Sequence, residues 1–386
     1  MSPRRYALVA GGGTAGHLLP AMAVARALEA DRGPGTVELV GSRRGLEATL
    51  LAGGDLPFTL LPGRGITRRL DPKVLVADSA AAGALAWAGM RALALVARRR
   101  PAVVVSVGGY ASLPAAAAAV VLGVPLVLVN VDAVPGAANQ LLGRFARASA
   151  VAYPGTPLPR AVVTGAPVRD EVVDAATHPD RAAARRQLGL PEDGLVVAAF
   201  GGSLGARRIN EAVLDLARRW ATRSGLALYH VVGRRDAAWA AEQAAGLDTG
   251  ALRYLQAPYE DRMALLYQAA DVAVCRAGAM TVAELGVAGL PAVLVPLPGA
   301  PGDHQSANAA VLAQAGAAVV LPDARCDGGA LAAALDPLLG EPGSRRDMAA
   351  AARRLARPDA AHAVAVVAQA HARPRPAGVG LARSAP

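Results

Sequence analysis

Short apolar runs and longer stretches of helical spacing take turns along this chain. Residues 6–10 form an unbroken apolar run, glycines follow at Gly11, Gly12, Gly13 and Gly16, and residues 20–30 have helical spacing. Residues 37–40 read as a second strand, and 103–107 and 126–129 are β-branched and apolar, with a helical stretch at 115–122 between the last two. Unbroken rather than alternating apolarity marks strands buried on both faces, as in a parallel sheet covered by helices. The pattern restarts at residues 195–200, which lead into Gly201, Gly202, Ser203 and Gly205 and then a helical stretch at 209–220. Further strands are predicted at 227–232, 271–275 and 292–295, and helices at 263–269 and 281–288. Two halves that each open as strand, glycine loop and helix predict two doubly wound α/β domains with parallel sheets.

A length of 386 residues suits two such domains better than one. The stretch 164–193, with its prolines and arginines, reads as the linker region. The expected division is 1–165 and 166–370, followed by a tail at 371–386 whose Pro, Gly, Arg and Ala predict disorder. Residues 74–97 come nearest to a membrane span, but Asp78 and Arg91 interrupt them. They predict a helix that is buried or lies against a surface.

Composition narrows the partners. Hydrophobic residues make up 53% of the chain, enough for sizeable cores, and the formal net charge is +10, carried almost wholly by arginine because Lys73 is the one lysine. Such a balance points to an anionic partner, either phosphorylated substrates or an anionic membrane surface, or to arginine scattered over a solvated face. Nucleic acid fits poorly, because aromatics are only 3% and offer few stacking platforms. Cys275 and Cys326 form no CxxC, which predicts free thiols in a reducing compartment. The apolar run after Arg4 and Arg5 meets glycine too soon to be a secretory signal.

Five segments could carry chemistry. Gly11-Gly12-Gly13-Thr14-Ala15-Gly16-His17 lies between a strand and a helix, where glycines admit a ligand close to the backbone and free N–H groups favour an anion. It satisfies GxGxxG, and Glu38 near the end of the second strand could bind a ribose, so a nicotinamide dinucleotide is one reading. His17 stands where a catalytic group would project. Gly201-Gly202-Ser203-Leu204-Gly205-Ala206-Arg207 repeats this context, with Ser203 able to donate to a phosphate. Glu284 sits about one turn into the helix opened by Arg276-Ala277-Gly278, placed either to accept ribose hydroxyls or simply to lie on a helix surface. Gly302-Asp303-His304-Gln305-Ser306-Ala307-Asn308 is dense in neutral hydrogen-bonding groups suited to sugar hydroxyls. Ser106-Val107-Gly108-Gly109-Tyr110 is another strand–glycine–helix junction, with Tyr110 as an acceptor contact or as packing. His304 has no partner at metal-ligand spacing and no DxD motif occurs. No cofactor is therefore expected, with a divalent cation left open.

In this order, the stretches at Gly11, Val107, Gly165 (GAPVRDEV), Phe200 (FGGSLGARRIN), Cys275 and Asp303 (DHQSANA) resemble the MurG family over roughly residues 5–365. These are the N-acetylglucosaminyltransferases that convert lipid I to lipid II in peptidoglycan synthesis. The resemblance implies the GT-B fold, two Rossmann-like domains with parallel sheets facing a central cleft. It implies that the second domain binds UDP-N-acetylglucosamine: Glu284 on the ribose, Arg169, Ser203 and Gly202 at the diphosphate, and Gln305 and Asn308 on the sugar. The first domain would bind the undecaprenyl-diphosphate-linked acceptor, with Thr14, Gly16, Tyr110 and Asn130 near it. It would also associate with the cytoplasmic face of the cell membrane through Leu85, Trp87, Arg91 and residues 98–100.

One departure matters. Where the family usually reads His-Glu-Gln-Asn, this chain reads Val129-Asn130-Val131-Asp132. The family's acidic position falls on Asn130, and a neutral amide is no general base. The base is therefore assigned to His17 or Asp132, and a related transferase with another lipid-linked or natural-product acceptor is the alternative. A non-catalytic protein that binds sugar nucleotides is a third possibility.

Overall fold

The computed structural model describes residues 4–43, 55–62, 72–202 and 205–374, with 72–85 described as backbone alone. The chain divides into two compact units. The first comprises Met1–Asn130, Pro135–Thr164 and Ala361–Pro386; the second comprises Val131–Val134 and Gly165–Ala360.

In the first unit the strands are β1 (Ala7–Ala10), β2 (Val37–Ser42), β3 (Phe58–Leu61), β4 (Val103–Ser106), β5 (Leu126–Asn130), β6 (Ala148–Val151) and β7 (Ala161–Val163). All described pairings are parallel, in the order β3-β2-β1-β4-β5-β6-β7. Its helices are α1 (Ala15–Arg32), α2 (Pro72–Arg99), α3 (Leu113–Val121) and α4 (Ala137–Leu142). Leu8, Val104, Leu126 and Leu128 meet Ala88, Ala92, Val96, Ala115 and Ala119 in one core. Alanine on the helices lets them lie close to a sheet whose bulk comes from Val and Leu, as close packing requires.

The second unit repeats the plan. Helices α5 (Asp170–Thr177) and α6 (Arg181–Gln187) precede β8 (Leu195–Phe200), α7 (Arg207–Arg219), β9 (Leu226–Val231), α8 (Ala237–Ala244) and β10 (Arg253–Ala257). Then come α9 (Met263–Ala269), β11 (Val272–Cys275), α10 (Ala279–Ala288), β12 (Ala292–Leu294), α11 (His304–Gln314), β13 (Ala318–Val320), α12 (Gly328–Gly340) and α13 (Pro342–Leu355). The sheet order is β10-β9-β8-β11-β12-β13, again parallel. Each sheet reverses direction of growth beside its first strand, at β1/β4 and at β8/β11. This is the doubly wound arrangement of Rossmann-like domains, and the two together give the GT-B class. Ligands of such sheets bind at the carboxyl ends of the strands flanking the reversal, where the glycine loops lie in both units.

Four expectations need correction. The linker region 164–193 holds α5 and α6 rather than open chain. The final helix, α14 (Ala360–Ala370), does not finish the second unit, because from Ala361 the chain groups with the first. Gln369 donates to Asp31 at 2.7 Å and the Arg373 N–H to the Ala102 carbonyl at 2.9 Å, so residues 371–374 of the expected tail are held; residues 375–386 lie outside the described ones. Glu38 is not at the carboxyl end of β2 but one residue after its start. It is 1% exposed, takes the Thr59 hydroxyl at 2.6 Å and pairs with Arg5 and Arg99. A buried, saturated carboxylate at the wrong end of the strand cannot serve the ribose of a dinucleotide, and that reading loses its second support.

Candidate functional site

In the first unit the loop after β1 and the loop after β4 touch through glycine. Gly109 has φ +75°, and a Cβ on it would come within 2.9 Å of the Gly12 carbonyl and 3.2 Å of the His17 ring. The approach of the two backbones is one only glycine permits. The His17 ring, half-buried, lies over this junction, and Nδ1 is 3.0 Å from the Thr14 hydroxyl. Thr14 and Gly16 are exposed at the start of α1, and Tyr110 is half-buried against Gly13.

Asn130 ends β5 and is 3% exposed. Its Oδ1 accepts from the Nδ2 of Asn139 at 3.2 Å, and the same amide donates to the Val129 carbonyl at 3.0 Å. Asn139 was not singled out from the sequence. It is equally buried, stands about as near to Gly108 as His17 does, and its Oδ1 has no hydrogen-bond partner. An unsatisfied buried acceptor invites a donor from a ligand or water. The one sequence signal for it is a polar residue opening a helix soon after the Asn130 strand.

The second unit holds the expected donor residues. Glu284, on α10, is 3% exposed. Arg169, at the start of α5, donates to it through a two-pronged pair, Nε to Oε1 at 2.8 Å and Nη2 to Oε2 at 3.0 Å. The Tyr267 hydroxyl donates to Oε2 at 2.8 Å. Burial pulls the Arg169 guanidinium down, but its hydrogen bond to Glu284 and the charge there outweigh this and leave it above the ordinary arginine value. Burial, followed by the Glu284 charge, pushes the Tyr267 phenol well up, so it stays a neutral donor. Tyr267 is a partner of Glu284 that its sequence context, an ordinary helix position, did not reveal.

Gly202 is exposed, and its carbonyl takes the Gly205 N–H at 2.9 Å to close the second glycine loop; Ser203 lies outside the described residues. Gly205 has φ +83°, and a Cβ there would strike the Val232 carbonyl. Behind this loop runs a buried polar chain. The His230 Nδ1 is 2.9 Å from the Tyr254 hydroxyl and Nε2 is 3.0 Å from Asn210 Oδ1. Asn210 Nδ2 donates to the Val232 carbonyl and to Asp236. Asp236 in turn holds Arg207 and Arg235, and the Arg207 guanidinium lies 3.8 Å over the Trp239 ring. Because Asn210 uses its N–H groups elsewhere, its oxygen must accept. The proton of His230 is therefore on Nε2 and Tyr254 donates to Nδ1.

Gln305 and Asn308 behave differently from each other. Gln305 is half-buried, with Oε1 taking the Leu297 N–H at 3.0 Å and its amide N–H2 unpartnered among the described residues. Asn308 is fully buried: Oδ1 accepts from the Ala133 N–H at 2.8 Å, and Nδ2 donates to Asp132 at 2.9 Å and to the Ala277 carbonyl at 3.1 Å. These bonds give Asn308 the task of holding the segment Val131–Val134 rather than the expected sugar contact. Asp132 is half-buried beside it. Among the described residues no group of three His, Cys, Asp or Glu could hold a metal.

Residues 7–151 match the glycosyltransferase family 28 N-terminal domain and residues 196–364 its C-terminal domain. Relatives named UDP-N-acetylglucosamine–N-acetylmuramyl-(pentapeptide) pyrophosphoryl-undecaprenol N-acetylglucosamine transferase include one from Desulforudis audaxviator, 36% identical over 92% of this chain and 95% of its own length. Another, from Acidothermus cellulolyticus, is 39% identical over the same shares. The crystal structure of Acinetobacter baumannii MurG is similar with a TM-score of 0.72 at 28% identity, covering 95% of this chain and all of that one. A putative UDP-N-acetylglucosamine 2-epimerase from Listeria monocytogenes, at 15% identity and a TM-score of 0.66, shares the fold. The chain belongs to glycosyltransferase family 28 and, within it, to the MurG family of N-acetylglucosaminyltransferases.

Proposed function

We propose that this enzyme transfers N-acetylglucosamine from UDP-N-acetylglucosamine to lipid I, undecaprenyl-diphospho-MurNAc-pentapeptide, giving lipid II with inversion at the anomeric carbon. The observation that carries the reading is likeness to transferases of that name along 92% of the chain. The site chemistry fits it. Glu284 accepts the ribose hydroxyls once Arg169 turns from it to the diphosphate. Gly202, at the second glycine loop, is assigned to the same charge, with Ser203 assigned there by the family resemblance alone, and Gln305 offers its free amide to the sugar. In the transition state the acceptor hydroxyl bonds to the anomeric carbon as the bond to UDP breaks. Arg169 and the loop N–H groups stabilise the departing diphosphate, so no resident metal is assigned.

The hydroxyl proton goes to His17. In the tautomer whose Nδ1–H donates to the Thr14 hydroxyl, Nε2 is the nitrogen that takes the proton. Thr14, Gly16, Tyr110 and Asn130 line the acceptor's side, and Asp132, fixed by Asn308, is the other candidate base. A second reading, a different lipid-linked acceptor, is favoured by the Asn130 amide at the family's acidic position.

The membrane surface is assigned to α2. Trp87 and Met90 are 52% and 56% exposed, with exposed Arg91 and Arg98 on the same helix. Arg99 is excluded from that patch by its pairing with Glu38, and the side chain of Leu85 lies outside the described residues. No helix among the described residues is long and apolar enough to cross a membrane, which suits peripheral attachment at the cytoplasmic face.

The test is transfer from radiolabelled UDP-N-acetylglucosamine to a soluble lipid I analogue, with Asn130→Glu and His17→Ala run beside the native chain. Transfer by the native protein, abolished or lowered by roughly 10²–10⁴-fold in His17→Ala, supports the assignment. UDP binding without transfer, rescued by Asn130→Glu or not, moves the native acceptor elsewhere.

A further inference from the structure

A cavity of about 600 Å³ opens in the second unit among α5, α9, α10 and α13. Asp271, just before β11, and Pro291, just before β12, lie in its wall, so it stands at the amino ends of these strands. The glycine loop and the Gly278 turn stand at the opposite, carboxyl ends. The cavity is therefore not the donor site. Its floor is apolar, formed by Val172, Val287 and Leu290, and its rim carries Arg181, Arg345, Arg346 and Arg353.

The charges on this rim do not cancel. The one carboxylate in the wall, Asp271, already takes Arg181, the Arg185 Nη2 at 3.0 Å and the Val196 N–H at 2.7 Å. Arg345 caps α12 by donating to the carbonyls of Leu338 and Leu339. Arg346 and Arg353 have no hydrogen-bond or ion-pair partner among the described residues. They stand seven residues apart on α13 with Ala349 between them, on one face of the helix and about 10 Å apart along it. Two extended guanidinium groups can converge across that distance on one anion, and a planar fork matches phosphate best. The small Ala349 leaves the space between them open.

We propose that this cavity is a second ligand site, which binds a small organic phosphate with its phosphoryl group between Arg346 and Arg353 and its body on the apolar floor. Tyr267, which lines the same cavity, donates to Glu284, so an occupant touches the residue that orients the donor-site carboxylate. The inference stands on the second unit's own residues and does not need the acceptor assignment.

The test is calorimetric titration of the full chain with phenyl phosphate while UDP saturates the donor site. UDP binding, measured first, reports on the donor reading separately. One saturable site is expected, with inorganic phosphate at least tenfold weaker because it leaves the apolar floor uncovered. Arg346→Gln with Arg353→Gln should weaken phenyl phosphate at least tenfold, and Ala349→Phe should block it by filling the space. Both variants should leave UDP affinity and the melting temperature unchanged. Displacement of the probe by ribose 5-phosphate assigns the natural ligand to water-soluble metabolites; displacement by dihexanoyl phosphatidate alone assigns it to a lipid headgroup. No saturable heat, native binding in the double variant, inorganic phosphate as tight as phenyl phosphate, or displacement by neither competitor each overturns the proposal.

Discussion

Both oxygens of Glu284 already have partners, the Arg169 fork and the Tyr267 hydroxyl, and that arrangement separates what two substitutions should do. Glu284→Gln puts an N–H2 opposite two donors and removes the charge. Hydrogen bonds to charged groups contribute about 1.5–3 kcal/mol, so KM for UDP-N-acetylglucosamine should rise roughly 10- to 100-fold. Tyr267→Phe leaves the carboxylate charged and merely less fixed; KM should rise by up to about tenfold with kcat nearly unchanged. Steady-state kinetics decide it: an equal fall in kcat at constant KM would move either residue from donor binding to the reacting centre. His230 makes a different prediction. Burial lowers its pKa to about 3, against about 6.5 in an unfolded chain. Above pH 6.5 the ring is neutral in both states and its contribution is fully present. Between that pH and about 3 the unfolded chain holds one more proton, so stability falls by about 1.4 kcal/mol for each unit of acidification. Denaturant titrations of native protein and His230→Gln across pH 7 to 4 should differ in slope by that one proton. Parallel curves would mean that the ring titrates in the fold.

At the scale of elements, the middle of each sheet was legible and the periphery was not. β1, β4, β5, β8 and β11 are unbroken apolar runs because helices cover both faces, and nearly every side chain in them is buried. β7 has all three residues exposed, β3 begins with Phe58 at 42% exposure, and β10 starts on Arg253. Edge strands carry mixed patterns that resemble loop. Burial also reversed the meaning of polar residues. A cluster such as 303–308 reads as sugar recognition, yet Asn308 is sealed inside and holds a backbone segment. Glu38 is on the expected strand but at its beginning rather than near its end, because composition does not fix where a strand starts. For α2 the exposed pair Trp87 and Met90, three residues apart on one face, should enter a lipid surface, with Arg91 beside them drawing anionic headgroups. Trp87→Glu with Met90→Glu should lower sedimentation with phosphatidylglycerol-containing vesicles at least about tenfold, since burying each side chain is worth about 1.5–3 kcal/mol. Unchanged sedimentation would move the membrane contact off this helix.

For the whole molecule, the two units are variations on one sheet order, but the chain does not finish one before leaving it. It returns to the first unit in α14, where Val364, Ala365 and Ala368 are fully buried, Gln369 bonds Asp31 and Arg32, and Arg373 reaches the carbonyls of Ala102 and Gly123. Ending the chain after Asp359 therefore removes a helix from the first unit's core. Burial of these side chains is worth on the order of 3–5 kcal/mol, a large part of the stability of an ordinary domain. The residues proposed to bind the donor all belong to the second unit, so on that reading UDP reports on that unit independently: at 100 times its Kd a ligand stabilises the state that binds it by about 2.7 kcal/mol. Calorimetry of the truncated chain should show one transition moved to lower temperature and insensitive to UDP, with a second that UDP still raises. If instead the UDP-sensitive transition is the one that drops, α14 supports the second unit after all, and its grouping with the first carries no energetic weight.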